Sequence, residues 1–344
     1  MARSSRDYDE SDVRIRPNRR GSRPRSKDRP AHLDAVPARV TGVDRGRYTT
    51  YVEEGDTRRV VVAMRARELG RKGIVVGDAV HLVGDTTGDD GSLARIVRVT
   101  PRETVLRRTA DDTDPVERVL VANADQLVVV SSLTNPEPRP RLIDRCLVAA
   151  YDAGMEPLLV LTKADLTDPA PFLEQYAPLS VPAIVTSRRD GLITGLDDVR
   201  DALSGRVSVL VGHSGVGKST LVNALVPLAL RATGVVNDVT GRGRHTSTSA
   251  VALALPDDDG WVIDTPGVRS FGLAHVDLSR IVHHFPDLEP GTAQCPRGCT
   301  HDEEECGLDA WVESGSAGPA GPARLDSLRR LLRARTPVTG DSHD

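Results

Sequence analysis

The sequence has 344 residues, of which 27% are charged and 39% hydrophobic, and its formal net charge is −4. This is an ordinary globular composition, and the length predicts two or three domains. No apolar run approaches the roughly 20 residues of a membrane helix, and residues 1–6 precede no apolar core. We therefore expect a cytoplasmic protein with neither a secretory signal nor a membrane partner.

A basic segment lies within residues 1–35, which we predict to be a disordered arm. Residues 13–30 contain one acid, Asp28, among prolines, serines and these basic residues: Arg14, Arg16, Arg19, Arg20, Arg23, Arg25, Lys27 and Arg29. Such a segment cannot bury a core. Its local charge suits RNA phosphates, whatever the net charge of the whole chain. The alternative is a solvated tail that aids solubility.

Residues 36–108 carry the pattern of an all-β domain. Five short β-rich runs are separated by Gly-Asp and Asp-Gly turns, and they lie at residues 38–43, 48–52, 59–63, 79–83 and 94–99. Five short strands in about 70 residues predict a small barrel, with the OB-fold as the natural candidate. We expect its RNA-binding face to include Arg45, Arg47, Tyr48 and Tyr51, although strand alternation alone also explains these residues.

Residues 109–285 alternate strands and helices, which predicts an α/β domain with a mostly parallel sheet covered by helices. We expect strands at residues 126–130, 157–161, 182–185, 207–211 and 261–263, and a helix at 141–153. Cys146 falls on the apolar stripe of that helix. It is predicted to be a core residue and not a ligand.

A candidate guanine-binding motif follows the strand at 157–161, at the end where open α/β sheets bind ligands. It consists of Thr162, Lys163, Ala164 and Asp165. The Asp165 carboxylate can accept hydrogen bonds from N1–H and N2–H₂ of guanine, a pair of donors that adenine lacks, and the Lys163 stem can cover the base. Thr186 and Ser187 follow the next strand and can offer a backbone N–H to guanine O6. A plain loop explains these two residues nearly as well.

A phosphate-binding loop of the form G-x-x-x-x-G-K-S follows the strand at 207–211. Its residues are Gly212, His213, Ser214, Gly215, Val216, Gly217, Lys218 and Ser219, and Thr220 follows them in a helical pattern. The glycines let successive N–H groups turn toward phosphate oxygens, and the helix adds its positive end. Lys218 is expected to reach the β- and γ-phosphates, and Ser219 to bind Mg²⁺. The strand–loop–helix setting disfavours the alternative, a glycine-rich turn with a chance lysine.

Two segments that can sense the γ-phosphate come later in the chain. Asp264 and Gly267 belong to an Asp-Thr-Pro-Gly sequence, in which the carboxylate can hold Mg²⁺ through water and the Gly267 N–H can bind the γ-phosphate. Residues 241–249 are predicted to form a first switch, in which Thr246, Ser247 or Thr248 faces Mg²⁺. The alternative is a disordered polar loop. Because the guanine motif precedes the phosphate loop, the order of motifs is circularly permuted.

The C-terminal region, residues 286–344, contains three cysteines and a histidine within a short span: Cys295, Cys299, His301 and Cys306. Three thiolates and one imidazole suit a structural Zn²⁺ with tetrahedral coordination. A disulfide is disfavoured in a cytoplasmic chain. A helix with an apolar stripe is predicted at 323–335, and its arginines form either a solvated basic face or a further RNA contact.

This combination of a barrel, three permuted GTPase motifs and a Cys/His segment resembles the RsgA (YjeQ) family of GTPases, which depend on the small ribosomal subunit. The resemblance covers roughly residues 36–335. The chain departs from the family pattern at Ser247, which replaces a threonine, and in two zinc-ligand gaps that are each one residue shorter. The resemblance implies a late maturation factor that binds the small subunit near its decoding region and leaves when GTP is hydrolysed.

The resemblance also implies the cofactors and the catalytic residue. It predicts GTP or GDP with Mg²⁺, one structural zinc ion, and the small subunit with its rRNA as partners of a monomer. Val268 stands where many GTPases place a water-orienting glutamine, so intrinsic hydrolysis is expected to be slow. The resemblance points to His245 as the catalytic residue; a phosphate or RNA contact is its alternative. The alternative function is a non-enzymatic, GTP-dependent RNA-binding module, and Asp165 argues against an ATPase or kinase.

Overall fold

We describe the protein from a computed structural model, which covers residues 32–70, 73–109, 116–226, 250–265, 272–303 and 305–334. Residues 1–31, which make up most of the predicted basic arm, lie outside these ranges. Among the described residues, no helix has both the length and the apolar character needed to cross a membrane.

The N-terminal domain is a closed five-stranded barrel. Its strands are β1 (Val36–Asp44), β2 (Arg47–Glu54), β3 (Thr57–Arg65), β4 (Ala79–Gly84) and β5 (Ala94–Val99). They pair in the order β1–β2–β3–β5–β4, and β4 pairs again with β1. Alternate side chains fill the interior, as a small barrel requires, and they include Val40, Val52, Val61, Leu82 and Ile96. The predicted OB-like barrel is confirmed.

The two tyrosines of the predicted RNA-binding face are not free surface residues. Tyr48 is only 7% exposed and packs in the barrel core, so its placement on the outer face was wrong. Tyr51 is half-buried and meets the ring of Trp261 edge to face, with 4.9 Å between centroids. Arg45 and Arg47 are exposed. Alternation divides strand residues between two faces, and only the closed barrel decides which face is inside.

The remaining strands belong to the α/β domain. They are β6 (Val105–Arg108), β7 (Arg118–Ala122), β8 (Gln126–Ser132), β9 (Glu156–Thr162), β10 (Ala183–Val185), β11 (Ser187–Arg189), β12 (Leu192–Thr194), β13 (Arg206–Val211), β14 (Val251–Ala254) and β15 (Gly260–Asp264). The main sheet runs β10–β9–β8–β13–β15–β14, parallel throughout except for the antiparallel pair β14–β15. β6–β7 and β11–β12 form separate hairpins. The parallel sheet that the alternation predicted is present.

Helices cover both faces of this sheet. They are α1 (Pro140–Ala153), α2 (Ala170–Tyr176), α3 (Leu196–Leu203), α4 (Lys218–Leu225), α5 (Gly307–Glu313) and α6 (Gly321–Arg333), and short 3-10 helices lie at Arg67–Leu69, Ala177–Leu179, Pro256–Asp258, Leu278–His284 and Glu289–Gln294. Strand β8 shows why the sheet is buried on both sides. Leu127 and Val129 pack in the cluster of α1 and α6, whereas Val128 and Val130 pack in the cluster of α3 and α4.

The barrel is joined to the sheet at two places. Gly42 of β1 pairs with Val251 of β14, so one continuous sheet runs from the α/β domain into the barrel. The second junction lies at Gly77, where an added Cβ would meet the Ala122 carbonyl oxygen at 1.9 Å. The Asn123 side chain donates to the Gly77 carbonyl at 3.0 Å beside it. Only glycine permits this close approach, which is also made at a φ of +91°.

The last helix, α6, is fastened to the rest of the chain by its arginines. These form ion pairs between Arg324 and Asp287, Arg329 and Asp309, Arg330 and Asp144, and Arg333 and Asp302. The apolar stripe of α6, including Leu328 and Leu331, is buried against the α/β domain. These four arginines, which the sequence left open between a solvated face and an RNA contact, are therefore engaged within the protein, whereas Arg335 lies outside the described residues.

Candidate functional site

The phosphate-binding loop connects β13 to α4, which begins at Lys218. Its glycines are needed for geometric reasons. Gly215 and Gly217 have φ values of +87° and +94°, which residues with a Cβ rarely adopt. A Cβ on Gly212 would lie 2.5 Å from the Val130 carbonyl oxygen of the neighbouring strand. The loop is thus shaped as a backbone cradle at the carboxyl end of the sheet, where anions can meet the N-terminus of α4.

Lys218 links this loop to the end of strand β15. Its side chain is 10% exposed, and its ammonium pairs with the Asp264 carboxylate. It also donates to the Thr265 carbonyl at 2.9 Å. The Thr265 hydroxyl in turn donates to Leu210 of β13 at 2.7 Å. The cation and the carboxylate expected to handle phosphate and Mg²⁺ are therefore neighbours.

The structure brings the guanine motif directly against the phosphate-binding loop. The Thr162 hydroxyl donates to the Val216 carbonyl at 2.6 Å, and the Lys163 ammonium donates to the Gly215 carbonyl at 2.9 Å. Lys163 also donates to the Asn135 carbonyl, a partner that sequence reasoning missed because no motif marks it. Because β9, β8 and β13 are parallel neighbours, the carboxyl ends of β9 and β13 lie at the same end of the sheet.

The rest of the guanine motif lies at the exposed edge of this site. Ala164 donates its N–H to the Thr186 carbonyl at 3.2 Å, which ties the motif to the segment after β10. The Asp165 side chain is exposed and accepts a hydrogen bond from the Arg188 N–H at 3.1 Å. Thr186 is buried, and Ser187 begins the β11–β12 hairpin. One end of the sheet therefore carries phosphate-binding and base-binding candidates side by side.

A small cavity adjoins the start of the phosphate-binding loop. His213 and Cys146 line it together with Arg139, Ile143 and Gly212. Burial lowers the pKa of His213, and the nearby charge of Arg139 lowers it further, against a hydrogen bond to the Ser214 carbonyl that raises it. Cys146 is 2% exposed, and burial raises its pKa to about 12. The predicted core role of Cys146 is confirmed.

The three cysteines and the histidine form one cluster in the C-terminal region. The His301 Nδ1 atom lies 3.6, 3.7 and 3.9 Å from the sulfurs of Cys295, Cys299 and Cys306. All four ligand atoms lie within 4.8 Å of one another. Bond lengths of about 2.3 Å to sulfur and 2.0–2.1 Å to nitrogen put tetrahedral ligand atoms roughly 3.5–3.8 Å apart. The donor set and its spacing therefore fit a metal ion.

Residues around this cluster hold its ligands in place, and sequence reasoning missed them. Arg329 donates to the His301 carbonyl at 3.1 Å and forms a bidentate pair with Asp309 at 2.9 and 2.6 Å. Glu303 accepts hydrogen bonds from the Thr300 N–H and hydroxyl, which lower the pKa of Glu303 to about 2. Their charges are ordinary for surface residues, so no pattern in the sequence singles them out.

Several predicted site residues lie outside the described part of the chain. These are His245 and the switch hydroxyls Thr246, Ser247 and Thr248, within residues 227–249, and Gly267, within residues 266–271. The described ends of these segments are informative, because the first is followed by β14 and the second follows β15. The second segment therefore leaves the strand that pairs with β13, and the first joins α4 to β14, one strand further along the sheet.

Comparison with known proteins agrees with this geometry. The model of the family described as RsgA GTPase matches residues 99–274. A protein of Pseudomonas aeruginosa named small ribosomal subunit biogenesis GTPase RsgA is 40% identical over 267 residues, which is 75% of each chain. A protein of the same name from Gemmatimonas aurantiaca is 36% identical over 302 residues, covering 85% of this chain and 95% of that one.

Solved structures show the same architecture. The crystal structure of YjeQ from Thermotoga maritima is similar with a TM-score of 0.61 and 28% identity, over 88% of this chain and 98% of that one. YloQ, described as a circularly permuted GTPase, has a TM-score of 0.62 at 22% identity, over 90% and 99% of the two chains, and so shares the fold. With its permuted motifs converging at one end of the sheet, the chain is a GTPase that belongs to the RsgA GTPase family.

Proposed function

We propose that this GTPase binds the small ribosomal subunit and acts in its late maturation, that the subunit stimulates GTP hydrolysis, and that hydrolysis drives release. The convergence of Lys218, Asp264 and the guanine motif at the carboxyl end of the sheet carries the GTP-hydrolysing part of the proposal. The names of the relatives in Pseudomonas aeruginosa and Gemmatimonas aurantiaca support the choice of the small subunit as partner. RNA is the expected contact surface, with residues 1–35 and the barrel facing it.

In this proposal the phosphate-binding loop, residues 212–219 with Thr220, holds the phosphates of GTP through backbone N–H groups and the Lys218 ammonium. Ser219 and Asp264 would hold Mg²⁺, which neutralises charge on the β- and γ-phosphates. Thr162 and Lys163 brace the loop through the hydrogen bonds to Val216 and Gly215. Asp165 accepts the two guanine donors, with Ala164, Thr186 and Ser187 beside the base.

Hydrolysis itself is assigned to residues that the described ranges do not include. Val268 has no side-chain group that can orient water, so another residue must do so. We propose His245 for this role, with a hydroxyl of residues 246–248 facing Mg²⁺ and the Gly267 N–H facing the γ-phosphate. This arrangement makes hydrolysis depend on how residues 241–249 are held, which gives a bound ribosomal subunit a way to stimulate it.

We propose that the metal in the cluster of Cys295, Cys299, His301 and Cys306 is one structural zinc ion. Four protein ligands leave no open coordination position, and thiolate and imidazole ligands suit Zn²⁺. The proposed domains are residues 1–35, 36–108, 109–285 and 286–344. We expect the protein to be a cytoplasmic monomer.

The deciding experiment is multiple-turnover phosphate release with and without purified small subunits, with ATP as the control nucleotide. Subunits should raise GTP turnover by roughly tenfold or more, as partners that complete a GTPase site do. The Lys218→Met variant, which keeps the buried stem and removes the ammonium, should lose turnover under both conditions. Equal turnover with and without saturating subunits would refute the partner's role, and equal use of ATP would refute guanine specificity.

A further inference from the structure

The short β11–β12 hairpin touches the carboxylate assigned to guanine. The Arg188 N–H donates to Asp165 Oδ1 at 3.1 Å, although the two residues are 23 positions apart. We propose that this hairpin is a specificity element, in which the backbone N–H of Arg188 orients the Asp165 carboxylate for the guanine base. This inference rests on the base-recognition role proposed above, and it assigns a positioning group to that role.

The hairpin has a fixed register. Asp190 and Gly191 form its two-residue turn with φ values of +52° and +83°, both in the left-handed region. Such a type I′ turn matches the twist of the strands it joins. Arg189 then pairs with Leu192, and Arg188 with Ile193. A slip of one residue in the pairing would turn each strand residue to the opposite face of the hairpin. The turn therefore determines where the Arg188 N–H points.

This register leaves the Arg188 N–H available. In a hairpin with a two-residue turn, the pair next to the turn exchanges hydrogen bonds and the following pair does not. Arg188 and Ile193 form that second pair. The Arg188 N–H therefore points away from the partner strand, and Asp165 accepts it. The donor serves the site without any loss of pairing within the hairpin.

Both ends of the hairpin are anchored to the sheet. At the entry, the Thr186 N–H and hydroxyl both donate to the Leu161 carbonyl of β9, at 2.6 and 3.1 Å. At the exit, a Cβ on Gly195 would lie 2.5 Å from the Val185 carbonyl oxygen, so only glycine permits the close approach. These contacts oppose a shift of the hairpin along the sheet and hold the Arg188 N–H beside the guanine motif.

The hydrogen bond from the Arg188 N–H matters because the Asp165 side chain is exposed. An exposed aspartate that nothing holds occupies several rotamers. A hydrogen bond to Oδ1 occupies one of about four acceptor sites and leaves the others for N1–H and N2–H₂ of guanine. A carboxylate already held in one orientation loses less side-chain freedom on binding. The benefit falls on base selection and leaves phosphate binding unchanged.

The test compares binding of GTP with binding of inosine triphosphate, which lacks the 2-amino group, in the full-length protein. Arg188→Pro removes the N–H at a position that makes no ladder bond, and Arg188→Ala removes only the side chain. The proline variant should lower the ratio of the inosine triphosphate dissociation constant to the GTP dissociation constant by about fivefold or more, the scale of one ordinary intramolecular hydrogen bond. An equal fall in the alanine variant would assign the effect to the guanidinium and overturn the proposal.

A second pair of variants covers the case in which proline disrupts the local fold. Gly191→Val strains the turn of this hairpin, and Gly46→Val strains the two-residue turn of the β1–β2 hairpin in the barrel. Both glycines have positive φ, +83° and +85°, and neither has an atom within 4 Å of an added Cβ. Only Gly191→Val should lower the GTP-to-inosine-triphosphate preference. Equal effects of both variants would show general destabilisation and overturn the assignment.

Asp165→Asn separates this inference from the function on which it rests. If Asp165→Asn as a single substitution leaves the preference for GTP over inosine triphosphate unchanged, the recognition role of Asp165 fails. If it abolishes the preference and Arg188→Pro does not lower it, only the positioning role fails. The proposal requires non-additivity: in the Asp165→Asn background, Arg188→Pro should change the ratio by less than about twofold, because the N–H acts through that carboxylate.

Discussion

The ion pair between Arg330 of α6 and Asp144 of α1 should be a main anchor of the C-terminal region. The Asp144 side chain is 5% exposed, its Oδ2 atom lies 3.1 Å from Arg330 Nε, and the guanidinium also lies over the Tyr176 ring, 4.7 Å from its centroid. Arg330→Met keeps the aliphatic stem and the helix propensity, and leaves the carboxylate buried without its partner. Loss of one partner of a fully buried pair costs about 3–5 kcal/mol of unfolding free energy. Because the Arg330 side chain is 27% exposed, we expect a loss at the lower end of that range.

The loss should depend on pH in a defined direction. Burial raises the pKa of Asp144, and the charge of Arg330 opposes that rise. In the Arg330→Met variant the opposition is gone, so the folded-state pKa rises further above the unfolded value of about 3.9. A raised pKa favours folding when the group is protonated. The destabilisation of Arg330→Met relative to wild type should therefore be fully present above the folded-state pKa of Asp144 in the variant. It should disappear as the pH falls to about 4.

The same helix offers a matched control. Arg333 pairs with Asp302, but the two side chains are 61% and 29% exposed. Arg333→Met should therefore cost about 0–1 kcal/mol. Trp311 reports on this region, since its indole N–H donates to the Asp287 carbonyl at 3.0 Å, and a Trp261→Phe background makes it the single tryptophan. Urea unfolding followed by Trp311 fluorescence measures both variants. Equal losses at 330 and 333, or a loss at 330 that is the same at pH 4.5 and 7.5, would refute the reasoning.

Three further predictions concern the metal, the switch and the arm. Cys299→Ser should reduce the zinc content from about one ion per chain and should lower the stability reported by Trp311, because metal binding contributes folding energy. His245→Ala should bind GTP normally but lose subunit-stimulated phosphate release by roughly 100-fold, the scale of an acid–base or positioning group. Deletion of residues 1–30 should weaken subunit binding and reduce its salt dependence by about 0.7–0.9 in logarithmic slope per lost phosphate contact.

Each of these three has a measurement that can contradict it. Elemental analysis that finds no zinc in folded wild-type protein would remove the metal assignment. Stimulated turnover of the His245 variant within about threefold of wild type is too small a change for a catalytic group. An unchanged salt slope after deletion of the arm, measured by pelleting with small subunits, would leave the arm as a solubility tail.

The motifs were predictable from sequence because each is local and its chemistry follows from residue type. The phosphate-binding loop, the guanine motif and the Cys/His cluster each occupy a short span of sequence. The phosphate-binding loop and the guanine motif each follow a predicted strand, which already places both at the carboxyl end of the sheet. Contacts between distant residues were not predictable. Nothing in the sequence pairs Lys163 with Asn135, or Arg330 with Asp144. Tyr48 shows the same limit, since its burial depends on how the barrel closes.

The junction between β1 and β14 has a consequence for synthesis of the chain. The five barrel strands are complete at Val99 and pair with one another, which leaves the edge of β1 at Gly42 for β14, so the barrel can fold while the chain is still being made. Its pairing to β14 must wait for Val251, which is made 152 residues after Val99. At about 5–20 residues per second this interval lasts roughly 8–30 s. The nascent chain therefore presents a folded OB-like barrel well before it can bind GTP.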